Sequence, residues 1–195
     1  MAYNLRQRVE KNLMGRRNLK KVSFLPVSRL AQVDLSDLCR MGIRGIILDL
    51  DNTIVSEDDR YLSPEAEVWI QSALQNGMAL FILSNGKRRY RVDYWADRLK
   101  VPALSPARKP FPTGFRRALK VMGCRPHQTV VIGDSLHTDV IGAWLAGCTA
   151  IQVASLPHPP RWWERIAGRW LQRAYQSSEE LWPFDGSLYH QISVD

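Results

Sequence analysis

Short apolar runs alternate with longer amphipathic stretches between Gly42 and Val153. Five runs predict buried strands, at residues 45–51, 78–84, 101–105, 129–134 and 149–153. The intervening stretches predict helices, with starts at Ser63-Pro64 and at Thr113 and a last helix over residues 139–147. Because nearly continuous apolar strands separated by helices indicate a parallel sheet covered on both faces, we expect an α/β fold.

Two stretches of different character flank this unit. Residues 1–41 form a basic lead segment, and residues 157–195 contain a Pro-rich break, an aromatic, Arg-rich helix candidate and an acidic tail. The predicted organisation is therefore a lead segment (1–41), an α/β core (42–156) and a C-terminal helix with a tail (157–195). The sequence gives no indication of an oligomeric state.

Composition narrows the class of protein. The three cysteines, Cys39, Cys124 and Cys148, are scattered and odd in number, which favours a reducing compartment over disulfides or zinc. No apolar run reaches the roughly 18 residues that would span a bilayer. The N-terminus lacks the apolar core of a secretory signal, although its basic, acid-poor character also fits an organellar presequence. We expect a cytoplasmic protein that can attach peripherally to an inner or organellar membrane.

Polar side chains suited to one reaction follow several predicted strands. Asp49 and Asp51 close the first strand, Ser84 the second and Asp134 the fourth, while Lys109 follows the third. A single Asp in such a place is most often a loop cap. Ligands of open α/β sheets bind at the carboxyl ends of the strands, so several suitable groups there favour a site.

The reaction that fits these groups is phosphoryl transfer to a carboxylate. Asp49 and Asp134 can hold Mg²⁺, which prefers hard oxygen ligands, and Asp49 can then attack phosphorus. Asp51 can protonate the leaving oxygen and later activate water. Ser84 and Lys109 can stabilise the phosphate oxygens.

Four segments resemble, in order, the motifs of the haloacid-dehalogenase-like (HAD) phosphatases: DLDNTI (49–54), LSN (83–85), RKP (108–110) and GDSLHTD (133–139). The resemblance implies a Rossmann-like three-layer sandwich and a Mg²⁺ cofactor. It implies that Asp49 is the nucleophile, that Asp51 is the acid/base and also touches the metal, and that Asp134 and Asp139 are metal ligands. The same positions imply phosphate contacts by Asn52, Thr53, Asn85 and Lys109.

A narrower resemblance concerns the YqeG-type branch of this family, which includes phosphatases of phosphatidylglycerophosphate. It is carried by GIRGIILDLDNTIV, ARKPFPTGFRRAL and IGDSLHTDVIGAWLAG. Gly86 departs from the second asparagine expected after Asn85, which puts a substrate contact by that amide in doubt. The resemblance implies a phosphorylated lipid substrate.

The spacing of the motifs leaves no room for a cap domain. About two dozen residues separate Thr53 from the second strand, and a similar number separate Ser84 from Lys109, whereas independent domains need about 50. An uncapped site is open and suits phosphates on bulky carriers.

The chain has a net charge of +8, and part of its positive charge recurs every four residues near the C-terminus. This basic stripe is Arg161, Arg165, Arg169 and Arg173, and it lies beside an apolar stripe of Trp163, Ile166, Trp170 and Leu171. A basic amphipathic helix with tryptophans over 161–173 suits an anionic membrane surface. Basic and aromatic residues also bind single-stranded nucleic acid, and the tryptophans could instead pack on the core. The function we expect is dephosphorylation of phosphatidylglycerophosphate at the membrane. The alternatives are a phosphatase of nucleic-acid ends or phosphoproteins and a non-catalytic binding scaffold.

Overall fold

A six-stranded parallel sheet forms the centre of the protein. The computed structural model describes residues 24–160, 164–176 and 180–190. The sheet strands are β1 (Phe24–Pro26), β2 (Gly45–Leu48), β4 (Ala79–Leu83), β5 (Ala103–Leu104), β6 (Thr129–Gly133) and β7 (Thr149–Gln152). Their spatial order is β1-β7-β6-β2-β4-β5. Four short strands lie outside this sheet: β3 (Tyr61–Leu62), β8 (Ala154–Ser155), β9 (Arg173–Ala174) and β10 (Trp182–Pro183).

Helices cover both faces of the sheet. They are α1 (Leu35–Arg40), α2 (Ala66–Gln75), α3 (Arg89–Leu99), α4 (Pro112–Met122), α5 (Ile141–Ala146) and α6 (Glu164–Leu171). Alternate residues of β2 divide between two hydrophobic clusters, because successive side chains of a strand point to opposite faces. Ile46 packs with Trp69 and Trp95 of α2 and α3, whereas Ile47 packs with Phe115 of α4. The predicted three-layer α/β fold is confirmed.

The five predicted strands are all present, and a sixth comes from the lead segment. β1 pairs with the edge strand β7, with Leu25 opposite Ile151. After it, Leu30, Val33 and Leu38 are buried in the same core as β2. Residues 24–41 are thus continuous with the core that was predicted to begin at residue 42.

Two predicted helix starts and one helix type differ from the structure. Ser63 and Pro64 precede α2, which begins at Ala66 after Glu65 in the left-handed region. α4 begins at Pro112 rather than after a Thr113 cap, because proline needs no N–H partner in the first turn. The predicted helix over 139–147 is a π-helical turn over Leu136–Val140 followed by α5.

The C-terminal helix is shorter than the pattern predicts. α6 ends at Leu171, and the chain continues into β9, which pairs with β8. Ile166 and Trp170 of α6 are 73% and 72% exposed, so Trp170 does not pack in the core. Arg173 donates to the backbone oxygen of Val27 (3.0 Å). Arg161 and Trp163 lie outside the described residues.

The predicted acidic tail folds back onto the core over residues 180–190. β10 pairs antiparallel with β3. Tyr189 is buried, and its hydroxyl accepts a hydrogen bond from Trp95 Nε1 (3.1 Å). The C-terminal segment therefore reaches the loop that follows β2.

Residues 49–102 are all described and contain only β3, α2, β4 and α3 between the ends of β2 and β5, so no cap domain is inserted there. Within the described ranges, every helix is too short or too polar to cross a bilayer.

Candidate active site

An open cavity of about 400 Å³ lies at the carboxyl ends of β2, β4 and β6. The predicted residues that line it are Asp49, Asp51, Asn52, Asn85, Lys109 and Asp134. Ser84, Thr53 and Asp139 are buried and do not line the cavity. The parallel sheet brings these groups together because the carboxyl ends of its strands meet at one edge.

Three carboxylates form the floor of this site. One ligand oxygen of each of Asp49, Asp134 and Asp139 lies within 4.8 Å of the others, and all three residues are buried. Asp49 continues the hydrogen bonding between β2 and β6 by one residue, because its N–H donates to the backbone oxygen of Ile132 (2.9 Å). Asp139 lies in the π-helical turn after β6, where its carboxylate accepts from the backbone N–H of Ser135 (3.2 Å).

A buried ammonium neutralises part of this charge. Lys109 Nζ lies 2.6 Å from Asp49 Oδ1 and 2.7 Å from Asp139 Oδ1. Burial alone would lower the pKa of Lys109, but the carboxylates of Asp139 and Asp49 raise it. Lys109 therefore stays charged and offsets part of the negative charge that the three carboxyl groups can carry.

Two of the three carboxyl groups have raised pKa values. Burial and the neighbouring Asp139 raise the pKa of Asp134 to about 7. Burial also raises the pKa of Asp49 well above its usual value, an effect opposed by Lys109 and reinforced by Asp139. Buried carboxylates with raised pKa values are typical of sites that bind a cation or perform chemistry.

The C-terminal segment contributes to the same site. Gln172 Nε2 donates to Asp134 Oδ2 (2.9 Å), and the Gln172 backbone forms an isolated bridge with Ser135. Gln152 Nε2, at the end of β7, donates to the backbone carbonyl oxygens of Asp134 (2.8 Å) and Leu171 (3.1 Å). The end of α6 is therefore fixed beside Asp134.

Asp51 lines the same cavity and has hydrogen-bond partners of its own. Its Oδ2 accepts from Ser84 Oγ (2.8 Å), and its Oδ1 accepts from a guanidinium N–H of Arg91. Arg91 is only 2% exposed. Burial alone would lower the pKa of Arg91, but Asp51 and Asp59 raise it, so the guanidinium is charged.

The turn after β2 places Asn52 and Thr53. Asn52 has φ of 60°, a conformation that asparagine tolerates better than most residues, and its Oδ1 accepts from the Glu57 N–H (2.8 Å). Thr53 is buried, and its hydroxyl has no hydrogen-bond partner within the described part of the chain. A buried hydroxyl of this kind can serve a ligand oxygen.

Asn85 fixes the loop that carries Lys109. Its Oδ1 accepts from the Lys109 N–H (2.8 Å), and its Nδ2 donates to the Lys109 carbonyl (3.0 Å). Gly86, where a second asparagine was expected, approaches the site closely: an added Cβ would lie 3.2 Å from Asp51 Oδ2 and 3.1 Å from Ser84 Oγ. The Gly86 N–H also donates to Ser84 Oγ (2.9 Å). A side chain at this position would crowd Asp51 and Ser84.

Several residues of the site were not identified from the sequence, namely Lys87, Arg88, Arg91, His137, Thr138 and Gln172. A signal for Arg91 is present, because it aligns with Trp95 and Leu99 at intervals of four on the buried face of α3. A charged residue on an apolar helix face requires a partner. Gln172 carries no comparable signal.

Comparisons with known proteins agree with this geometry. Residues 106–167 match the model of the HAD-hydrolase-like family. The chain is 37% identical over 127 residues to the probable phosphatase YqeG of Bacillus subtilis, covering 64% of this chain and 73% of that protein. It is 35% identical over 114 residues to a phosphoserine phosphatase of Thermus thermophilus, covering 54% of this chain and 46% of that protein.

Among solved structures, the fold resembles the cobalt-bound deoxy-D-mannose-octulosonate 8-phosphate phosphatase of Haemophilus influenzae. The TM-score is 0.50 at 18% identity, over 60% of this chain and 72% of that one. The extent of the YqeG match shows that the chain belongs to the HAD-like hydrolases. Within that family its relatives are phosphatases, and this protein is a phosphatase too. The predicted family and enzyme class are confirmed.

Proposed function

We propose that the protein is a Mg²⁺-dependent phosphomonoesterase that works through a phospho-aspartate at Asp49 and dephosphorylates phosphatidylglycerophosphate at an anionic membrane surface. The observation that carries the catalytic part is the cluster of three buried carboxyl groups around Lys109 at the floor of an open cavity. The lipid part rests on the sequence resemblance to the YqeG-type branch and on the surroundings of the cavity.

The donor set fits magnesium. Asp49, Asp134 and Asp139 offer hard oxygen ligands within 4.8 Å of one another, and a divalent cation would balance their residual charge. Asp49, Asp134 and the backbone carbonyl of Asp51 would hold the ion, with Asp139 in support. When bound, the ion would screen the phosphate from the attacking carboxylate.

The residues of the chain then divide the work between them. Asp49 attacks phosphorus, and Lys109, 2.6 Å from Asp49 Oδ1, both orients that carboxylate and offsets charge on the phosphate. Asp51 gives its proton to the leaving oxygen and later takes one from water. Four further residues serve as phosphate-binding or loop-positioning groups near Asp49 and Asp51: Ser84, Asn52, Thr53 and Asn85.

The open cavity supports a bulky substrate. Without a cap domain, nothing inserted after β2 or β4 encloses the leaving group, so a lipid headgroup can enter while its acyl chains stay outside. A cavity of about 400 Å³ suits a headgroup rather than a whole lipid.

The placement of α6 supports a membrane as the surface that presents the substrate. The helix is held at its start by His158 Nε2 beside Glu164 Oε2 (3.1 Å) and at its end by Gln172 beside Asp134. Between these anchors, Ile166 and Trp170 are exposed one helical turn apart, with Arg165 exposed next to them. An exposed apolar pair with a basic neighbour suits the headgroup region of an anionic bilayer.

The experiment that tests this function compares three carriers on one enzyme preparation: phosphatidylglycerophosphate in vesicles, an oligonucleotide with a terminal phosphate, and a phosphopeptide. We expect the lipid to give the highest kcat/KM, with activity lost on chelation and restored by Mg²⁺. Preference for the oligonucleotide or the peptide would replace the lipid with that carrier and leave the phosphatase chemistry in place.

A further inference from the structure

Arg91 is a buried arginine whose donors are all directed at the loop after β2. Its Nε donates to Asp59 Oδ1, one terminal nitrogen donates to Asp51 Oδ1, and the other donates to the backbone oxygen of Ser56 (2.7 Å). Removing a guanidinium from water is costly unless its hydrogen bonds are made. The Arg91 side chain is therefore held by Asp51, Asp59 and the backbone of this loop.

Ser84 holds the other oxygen of Asp51, but it cannot do so throughout the reaction. Ser84 Oγ donates to Asp51 Oδ2 (2.8 Å) and accepts from the Gly86 N–H (2.9 Å). A serine hydroxyl has one hydrogen, so donation to Asp51 and donation to a phosphate oxygen exclude each other. When the Ser84 hydroxyl donates its hydrogen bond to a phosphate oxygen instead, Asp51 Oδ2 loses this donor. Arg91 still holds Oδ1.

A second layer of contacts fixes Arg91 in turn. Asp59 Oδ1 accepts from the Tyr189 hydroxyl (2.8 Å) as well as from Arg91, and Asp59 Oδ2 accepts from Arg88 (2.7 Å). The Tyr189 hydroxyl accepts from Trp95 Nε1 (3.1 Å). A continuous chain of hydrogen bonds thus runs from the C-terminal segment through Asp59 and Arg91 to Asp51.

We propose that Arg91 is the positioning residue for Asp51, and that Asp59 and Tyr189 keep it in place. Arg91 holds Oδ1, so that Oδ2 faces the reacting oxygen once Ser84 turns to the phosphate. The cycle begins with Asp51 protonated at Oδ2. In the first step the bond from Asp49 to phosphorus forms, the bond from phosphorus to the leaving oxygen breaks, and that oxygen takes the proton from Oδ2, which leaves Asp51 as a carboxylate. In the second step water attacks phosphorus, the bond from phosphorus to Asp49 breaks, and one proton of the water returns to Oδ2. The inference rests on the proposed covalent mechanism.

The test uses Arg91→Gln and Arg91→Lys, with Arg98→Gln as the matched control. Arg98 lies on the same helix and binds Glu67 through Nε (2.6 Å) and a terminal nitrogen (3.1 Å), so the control removes an ion pair of α3 without touching Asp51. Each variant is assayed on an alkyl phosphate, whose leaving oxygen needs a proton, and on nitrophenyl phosphate, whose leaving group does not. Phosphorylated enzyme is measured by rapid acid quench with labelled nitrophenyl phosphate.

We expect Arg91→Gln to lower kcat/KM on the alkyl ester at least about tenfold more than on the nitrophenyl ester, a difference of about 1.4 kcal/mol in activation free energy. Phosphorylated enzyme should accumulate with the nitrophenyl ester, because the second step still requires Asp51. Arg91→Lys should restore part of the alkyl-ester rate, and Tyr189→Phe should shift the ratio in the same direction by less. Arg98→Gln should leave the ratio unchanged.

An equal loss on both esters without accumulation of phosphorylated enzyme would overturn the proposal, as would the same ratio shift in Arg98→Gln. If Arg91→Gln does not fold, Arg91→Lys and Tyr189→Phe decide, and an unchanged ratio in both refutes the role of Arg91. Failure of the covalent mechanism would be visible separately, since the unmodified enzyme would then form no phosphorylated intermediate.

Discussion

Lys109 Nζ lies 2.6 Å from Asp49 Oδ1, so the proposed nucleophile is paired with a buried cation before any substrate is present. The pair has two consequences. Lys109 favours the ionised form of Asp49 against the burial that raises the pKa of this carboxyl group. It also limits the rotation of the carboxylate, which prepares it for attack in one direction.

Asp49→Asn should lower turnover by several orders of magnitude while the fold survives. The substitution preserves the shape of the side chain and its contact with Lys109, but an amide does not attack phosphorus. Asp93→Asn, an exposed change of the same kind on α3, is the control and should keep full activity. Activity retained by Asp49→Asn, in a preparation free of other phosphatases, would refute the covalent mechanism.

Mg²⁺ should restore activity after chelation, and Ca²⁺ should do so poorly, because its looser coordination misplaces the phosphate relative to Asp49. Asp134→Ala should raise the Mg²⁺ concentration needed for half-maximal activity steeply. The measurement is a titration of both ions with the chelated enzyme. Full activity after exhaustive chelation would show that Asp134 is not a metal ligand.

The chelated protein should lose stability as the pH rises from about 4 to about 7. In this window Asp134, whose pKa is raised from 3.8 to about 7, still holds a proton in the folded state, whereas the unfolded chain has released it. The folded state therefore binds more protons, and its free energy of unfolding falls with rising pH. The readout is the Tm of the chelated protein across this range.

Asp134→Asn separates this effect from other titrations. It should flatten the pH dependence and raise the Tm of the chelated protein at about pH 8 by several degrees, since about 1 kcal/mol corresponds to roughly 2–4 °C for a chain of this size. Mg²⁺ should raise the Tm of the unmodified protein more at about pH 8 than at about pH 5, and the Tm of the variant far less. A flat profile for the unmodified protein would contradict the assignment.

Asp51→Asn should slow hydrolysis of alkyl phosphates far more than hydrolysis of nitrophenyl phosphate, because only the alkoxide needs a proton to leave. The Asn side chain can still accept hydrogen bonds from Ser84 and Arg91, so the loop after β2 should remain ordered. The measurement is kcat/KM for a series of esters with leaving groups of different pKa, since kcat/KM reports the step in which the leaving group departs. An equal loss across the series would indicate that Asp51 acts on position or on the metal.

Ile166→Ala with Trp170→Ala should weaken binding to vesicles rich in phosphatidylglycerol and lower hydrolysis of the lipid, yet spare hydrolysis of a small water-soluble ester. Both side chains are more than 70% exposed, so their loss should change the Tm little. Binding should fall as salt rises, because part of it is electrostatic and is screened by salt. Each basic residue near an anionic surface contributes about 1 kcal/mol. Val68→Ala, an exposed apolar residue on α2, is the control for a general loss of surface area.

Equal loss of lipid and small-ester hydrolysis in the Ile166 and Trp170 variant would show that α6 acts on the site itself rather than on a membrane. Binding to single-stranded nucleic acid that depends on Trp170, without binding to vesicles, would transfer the proposed surface to that partner.

The sequence alone determined the sheet and the main groups of the site. Five buried strands are readable because each is a nearly continuous apolar run, and parallel strands place their carboxyl ends at one edge. That geometry follows from connectivity, so Asp49, Asp51, Ser84, Lys109 and Asp134 could be grouped without coordinates. The short strand β1 was not predicted, because three residues are too few to show a periodic pattern of apolar positions.

The tertiary structure decided the contacts that depend on where distant segments meet. Arg91 belongs to one of the helices predicted between the strands, and its burial depends on Asp59 and on Tyr189, which is 98 positions further along the chain. Gln172 reaches Asp134 only because α6 ends at Leu171 and the chain turns back beside Ser135. Local patterns specify helices and strands because those depend on neighbours in sequence. The partner of a buried charge is chosen by packing, which no local pattern encodes.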